Sequence, residues 1–180
     1  MSQNGGMFSS ETETQFDRLT ERYPEKRSAL IPILLLAQRE HGWIRPDVVE
    51  YVANRLDLSS SDVESVVSFY TLLNRSAVGQ NLILVCTNIS CMLCGSDEIE
   101  QTLRNRLGIN WGETTQDGRF TLIEAECLGS CTTAPVIQIN GHFRENLTVA
   151  RVEALLDDLE DPPAKPAAKP GARTEPPAAS

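Results

Sequence analysis

Residues 82–95, LILVCTNISCMLCG, and residues 120–139, FTLIEAECLGSCTTAPVIQI, contain all five cysteines of the 180-residue chain. In each stretch a short apolar run, Leu82 to Val85 or Phe120 to Ile123, leads into a loop rich in Gly, Ser and Thr. Short apolar runs bounded by turn residues read as buried strands. Two strand ends that each deliver thiols to such a loop form a cradle for a metal centre. Small residues such as Thr87, Ser90, Gly95, Gly129, Ser130 and Thr132 let backbone N–H groups approach sulfur.

Working outward from the cysteines, Ile99, Leu103 and Leu107 share one helical face, and Gly108 closes that helix. Gln116-Asp117-Gly118 turns the chain into the second strand, expected to run to Glu126. A third strand over Pro135 to Ile139 turns at Asn140-Gly141 into His142-Phe143-Arg144. Thr148 can cap a last helix carrying Val149, Val152, Leu155, Leu156 and Leu159. The β-α-β-β-α order predicts a small α/β domain over residues 77–160, with the cysteines at strand ends.

Upstream the pattern is helical. Phe16, Leu19 and Tyr23 mark a first helix stopped by Pro24, and ALIPILLLAQREHG after Ser28 reads as the most buried helix, with Pro32 in its first turn. Pro46 opens a third helix with Val48, Val49, Val52, Ala53 and Leu56 on one stripe. Ser61-Asp62-Val63-Glu64 fits a capping box for a fourth, whose buried face would be Val63, Val66, Val67 and Tyr70. A helical bundle over residues 12–76 follows. Residues 1–11 are polar and residues 161–180 are rich in Pro and Ala without a large apolar side chain, so both ends read as disordered. The fold class is thus α+β in two parts, a helical bundle followed by an α/β domain.

Composition removes several classes of function. The formal net charge is −9 and Lys/Arg residues are not clustered, which disfavours nucleic acid as a partner. No apolar run approaches the ~20 residues of a membrane span, and MSQNGGMFSSETETQ lacks the features of a secretory signal. A cytoplasmic location is expected, where clustered cysteines bind metal or do redox chemistry rather than form structural disulfides. There is no G-x-G-x-x-G loop, no nucleophile beside a base and no distinctive carboxylate pair. The chain by itself is expected to bind neither NADH nor flavin. His41 and His142 stand apart from the cysteine loops, so a Rieske-type centre is not expected. Phe69, Tyr70, Trp43 and Trp111 read as core, with a contact to another protein as the other reading for Phe69-Tyr70.

The thiols come in C-x₄-C and C-x₃-C pairs, wider than common zinc knuckles. A [2Fe–2S] rhomb needs two thiolates at each of two irons, and loops of this width suit it. Zinc and thiol–disulfide chemistry stay open on spacing alone. So does the ligand set, because Cys86, Cys91, Cys94 and Cys127 satisfy the plant-type pattern C-x₄-C-x₂-C…C. A split of Cys86 and Cys91 against Cys127 and Cys131 uses both loops symmetrically and leaves Cys94 as a packed free thiol. That split is the preferred reading.

CTNISC together with ECLGSCTTAPVIQIN, YPEKRSALIPILLLAQREHGWI and VVSFYTLLN resembles the thioredoxin-like [2Fe–2S] subunit of bacterial NADH–quinone oxidoreductase, respiratory complex I, from about Phe16 to Leu159. The resemblance implies a thioredoxin-like [2Fe–2S] domain after the helical one, with Cys86, Cys91, Cys127 and Cys131 as cluster ligands. It also implies an electron-transfer role beside a partner subunit that carries FMN and the NADH site. The helical domain would supply much of the docking surface, with the whole on the peripheral arm of the complex at the cytoplasmic face of the inner membrane. The same module in an NAD-linked hydrogenase or formate dehydrogenase is the alternative assembly, and a zinc-stapled interaction module is the alternative of another class. Cys94 departs from the family, which usually has another residue there. In thioredoxin-like folds a cis proline often follows such a loop, so Ala134-Pro135 is a candidate cis bond.

Overall fold

The computed structural model describes residues 6–160. The expected tail of residues 161–180 and the first five residues lie outside them. Four helices come first: α1 (Ser10–Arg22), α2 (Leu30–His41), α3 (Pro46–Leu56) and α4 (Ser60–Phe69). They are followed by β1 (Asn81–Cys86), α5 (Ile89–Leu93), α6 (Ser96–Leu107), β2 (Phe120–Ala125), β3 (Ile137–Ile139), β4 (His142–Arg144) and α7 (Val149–Glu160). The architecture is the mixed α+β one expected, helices first and then a four-stranded sheet.

Each helical boundary has a local cause. Ser9 caps α1 by accepting from the Thr12 N–H at 3.3 Å. Pro32 falls in the first turn of α2, where its missing N–H removes no intrahelical bond. Pro46 is the first residue of α3. The cap of α4 lies two residues before the expected one. Ser59, not Ser61, accepts from the Asp62 N–H at 3.1 Å. Three consecutive serines offer equivalent hydroxyls, and starting at Ser59 sets Leu58 and Val63 at the staple positions on either side of the cap, both in the helical core.

Phe16, Ile33, Leu34, Val48, Val52 and Val63 are fully buried in that core. Helix α2 is not buried all round, because Ile31, Leu35 and Leu36 are half-exposed. Order also reaches further back than the expected disordered segment 1–11. Phe8 is buried and meets Phe16 edge-on at 5.0 Å, so an aromatic two residues before the first helix belongs to the core. Phe69 and Tyr70 depart from expectation in the opposite sense. They are 77% and 37% exposed: α4 ends at Phe69, and the turn closed by the Leu73 N–H on Tyr70 O returns the chain to the core only at Leu73.

The strand order is β2-β1-β3-β4, with β1 parallel to β2 and the other two pairings antiparallel. The crossover from β1 to β2 carries α5 and α6, as a parallel pair requires. Ile83, Val85, Leu122, Ile137 and Ile139 form one core with Ile99 and Leu103 of α6 and Val152 and Leu156 of α7. Leu82 and Leu84, on the other face of β1, are only half-buried, so the run 82–85 alternates rather than being buried throughout. The expected hairpin turn forms at Asn140-Gly141, and Thr148 accepts from the Arg151 N–H at 3.3 Å at the start of α7. Asn74 still reaches back to Gln38 Oε1 at 2.6 Å, whereas the Gly79 N–H already donates to Thr121 Oγ1 of β2 at 2.6 Å.

Candidate metal centre

Cys86 is the last residue of β1, and its register partner Ala125 is the last residue of β2. Parallel strands end on one edge of the sheet, so the loops that follow them leave from the same place. The first loop is not irregular, as the sequence implied. It contains α5, which buries Cys91 on its inner side and exposes Ile89, Met92 and Leu93 on its outer side. A helix of five residues is too short to show a period. The second loop runs from Cys127 to a single 3-10 turn over Cys131–Thr133 and then to Ala134-Pro135, whose peptide bond is cis.

All five cysteines are free. Cys86 and Cys91 are buried against Val136, with Leu128 and Ala134 beside them, whereas Cys127 and Cys131 are exposed. Burial pushes the Cys86 thiol up, but the N–H groups of Asn88 and Leu128 and the thiols of Cys91 and Cys127 oppose it. The balance leaves Cys86 below the ordinary thiol value. Cys91 is pushed up to about 11, first by burial and then by its hydrogen bond to Cys86, with the Val136 N–H acting against both. Cys131 adds to the negative potential at Cys91. The Gly129 N–H donates to Cys127 Sγ at 3.3 Å, from a backbone with φ of +74° that favours glycine.

The four thiols expected to act together, Cys86, Cys91, Cys127 and Cys131, are therefore linked through sulfur contacts or the field of a neighbour. Cys94 is exposed and ends α5, its N–H donating to the carbonyls of Ser90 and Cys91 at 3.1 Å each. Among the described residues, no three His, Cys, Asp or Glu side chains converge as they would around a single metal ion. A two-iron rhomb makes a different demand, two thiolates at each end with N–H donors to the sulfurs. The donor set fits that demand: free thiols in two pairs, with N–H groups on Cys86, Cys91 and Cys127.

The thioredoxin-like [2Fe-2S] ferredoxin family model matches residues 16–160. The chain belongs to this family. An NADH-quinone oxidoreductase subunit of Rickettsia bellii is 46% identical over 146 residues, 79% of this chain and 87% of that protein. The mitochondrial NADH dehydrogenase [ubiquinone] flavoprotein 2 of Dictyostelium discoideum is 43% identical over 157 residues, 86% of this chain and 64% of that one. Among solved structures, an NAD+-reducing [NiFe]-hydrogenase superposes with a TM-score of 0.66 at 21% identity, over 73% of this chain and 22% of that one. At that identity the likeness is one of fold. The family and these NADH dehydrogenase relatives agree with the resemblance carried by the cysteine loops.

His41 and His142 lie away from the thiols in sequence and in partners. His142 is exposed at the start of β4, and the His41 ring meets Phe8 in a tilted contact at 4.8 Å. Sequence reasoning missed the supporting residues of the second loop. Ser130 and Thr133 donate their hydroxyls to Glu145, which follows β4. No local pattern marks Glu145, because its partners are more than ten residues away.

Among the described residues, no helix is long and apolar enough to cross a membrane.

Proposed function

We propose that this chain is the electron-transfer component of an NADH dehydrogenase module. It holds one [2Fe–2S] cluster on Cys86, Cys91, Cys127 and Cys131 beside a partner subunit that carries FMN and the NADH site. The observation that carries the reading is the meeting of two thiol pairs at the shared end of parallel β1 and β2, in a family of [2Fe–2S] ferredoxins. The similarity to NADH dehydrogenase components over most of the chain supports the assembly.

When bound, a [2Fe–2S] cluster supplies one-electron exchange and no hydride chemistry, which is why a flavin on a partner is part of the proposal. The chain's own residues do the holding. The N–H groups of Asn88, Leu128, Val136 and Gly129 offset negative charge on sulfur, and buried Val136 keeps water from the inner pair. Ile89, Met92 and Leu93 form an exposed apolar strip on α5 directly beside the thiols, and Phe69, Tyr70 and Leu72 form a second on the helical part. Exposed strips of this kind mark protein contacts, and they are assigned here to the flavin-bearing partner. That contact would keep the chain peripheral to the membrane.

The test is chemical analysis of the anaerobically purified chain. About two irons and two acid-labile sulfides per chain, with an EPR signal on reduction, are expected. One zinc without sulfide would establish the interaction module instead. Reduction by NADH is expected only when the flavin-bearing partner is present.

A further inference from the structure

The outer pair of thiols lacks the burial that fixes the inner pair, yet the turn that carries Cys131 is tightly tied. The Thr133 N–H donates to Ser130 O at 3.1 Å, closing the turn on itself. The hydroxyls of Ser130 and Thr133 lie 2.8 Å apart, and both donate to the same carboxylate oxygen of Glu145, Thr133 at 2.7 Å. The next two residues continue the strap: Asn146 N–H donates to Thr133 O at 2.7 Å and Leu147 N–H to Pro135 O at 3.1 Å. Glu145 is exposed and, among the described residues, has no ion-pair partner. The two hydroxyls hold its carboxyl below the usual carboxylate range.

We propose that Glu145 is a positioning residue for the Cys127–Cys131 side of the centre, locking the Cys131 turn and keeping an unneutralised negative charge beside it that lowers the reduction potential. The proposal rests on the cluster reading above. Reduction adds one electron to a group that is already anionic, so a fixed carboxylate nearby opposes it. The carboxylate is exposed, and its effect is therefore screened by salt, with a Debye length of about 10 Å at 0.1 M. The clamp is not screened. The two contributions are separable on that ground.

The experiment is an EPR-monitored redox titration of the full-length, cluster-loaded chain and three variants, at low and high ionic strength. Glu145→Gln keeps an oxygen that can accept both hydroxyls but removes the charge. Glu145→Asp keeps the charge, and Glu153→Gln on the exposed face of α7 is the control. Glu145→Gln is expected to retain its iron and its EPR line shape, with a midpoint above those of wild type and Glu153→Gln. That rise is expected to shrink at high salt, and Glu145→Asp to return the midpoint toward wild type. A Glu145→Gln midpoint equal to that of Glu153→Gln at low salt would overturn the proposal while leaving the cluster reading intact. A wild-type chain without iron and without signal would instead refute the cluster reading, and this inference with it.

Discussion

Cys86 stands opposite Ala125 in the parallel β1–β2 pair, two residues before Cys127. A six-residue strand spans about 20 Å, so an antiparallel pairing of the same strands would have put the two cysteine loops at opposite ends of the sheet. The parallel crossover through α5 and α6 is what brings four thiols to one edge. It also separates the positions of two exposed cysteines, since Cys94 ends α5 while Cys131 sits on the strapped turn.

Serine replacement at each cysteine tests that separation. Cys94→Ser is expected to leave iron content and the EPR signal of the reduced protein nearly unchanged. Cys131→Ser is expected to alter or abolish the signal, as are Cys86→Ser, Cys91→Ser and Cys127→Ser. The reverse outcome at positions 94 and 131 would establish the plant-type ligand set.

Gly79 carries a structural prediction that no local pattern announces. A Cβ at this position would meet the backbone C and N of Phe120 at 2.8 Å each, and the Gly79 N–H is already committed to Thr121 Oγ1. Backbone cannot swing aside as a side chain can. Gly79→Ala is expected to destabilise the fold by about 1–3 kcal/mol, the usual cost of overpacking. The midpoint of urea unfolding measures it, and an unchanged midpoint would refute the contact.

Much of the fold was legible because its elements are long or punctuated. The stripe Val48, Val49, Val52, Ala53 and Leu56 behind Pro46, the spacing of Ile99 and Leu103, and Asn140-Gly141 each carry their own signal. What was not legible depends on distance or on brevity. Helix α5 is shorter than two turns, the choice of Ser59 over Ser61 depends on how Leu58 and Val63 pack, and Phe8 is ordered only because a core built from α1 to α3 receives it. At the candidate site the thiols were visible, but the hydroxyl–carboxylate strap on Glu145 was not, because it exists only once β4 folds back beside the second loop.

Arg55 ties α3 to α1. Its guanidinium pairs with Glu13 at 2.8 Å and Asp17 at 2.6 Å and lies 5.4 Å from the centre of the Phe16 ring, while Tyr51 Oη donates to Glu13 at 2.6 Å. Arg55 is 20% exposed and Asp17 is 70% exposed, so solvent screens part of this network. Arg55→Ala is expected to cost about 1–2 kcal/mol, combining a charge-assisted bond with the lost stacking. A double-mutant cycle with Glu13→Gln should return a coupling of about 0.5 kcal/mol or more; additivity would show that the pair contributes nothing.

The ordered N-terminal segment makes a prediction about acid. Ser9 donates to Glu40 through its N–H at 2.8 Å and its hydroxyl at 3.2 Å. Burial is the largest single influence on the Glu40 carboxyl and raises it, but Thr12 and Ser9, with the charge of His41, together hold it below the usual value. A depressed carboxylate contributes stability above its unfolded pKa and loses it as pH falls through the folded one. The anchor of residues 8–9 on α2 is therefore expected to loosen on acidification below the ordinary glutamate range. Ser9→Ala is expected to move the Glu40 titration, followed by NMR, upward. A Glu40 titration that does not move in Ser9→Ala would show that the contact does not hold the carboxylate.

Leu93 tests the docking half of the proposed function without touching the thiols. It is 77% exposed on the outer side of α5, two residues after buried Cys91, so a charge there meets water in the free chain and costs the fold little. Buried in an apolar contact, the same charge would be unpaired, and burying an unpaired charge is strongly unfavourable. Leu93→Glu is therefore expected to keep the iron, EPR signal and thermal midpoint of the isolated chain. Its affinity for the flavin-bearing partner is expected to fall at least tenfold, which corresponds to about 1.4 kcal/mol. Isothermal titration of one protein into the other measures this. Unchanged affinity would place the contact elsewhere, with the Phe69, Tyr70 and Leu72 strip as the surface to vary next.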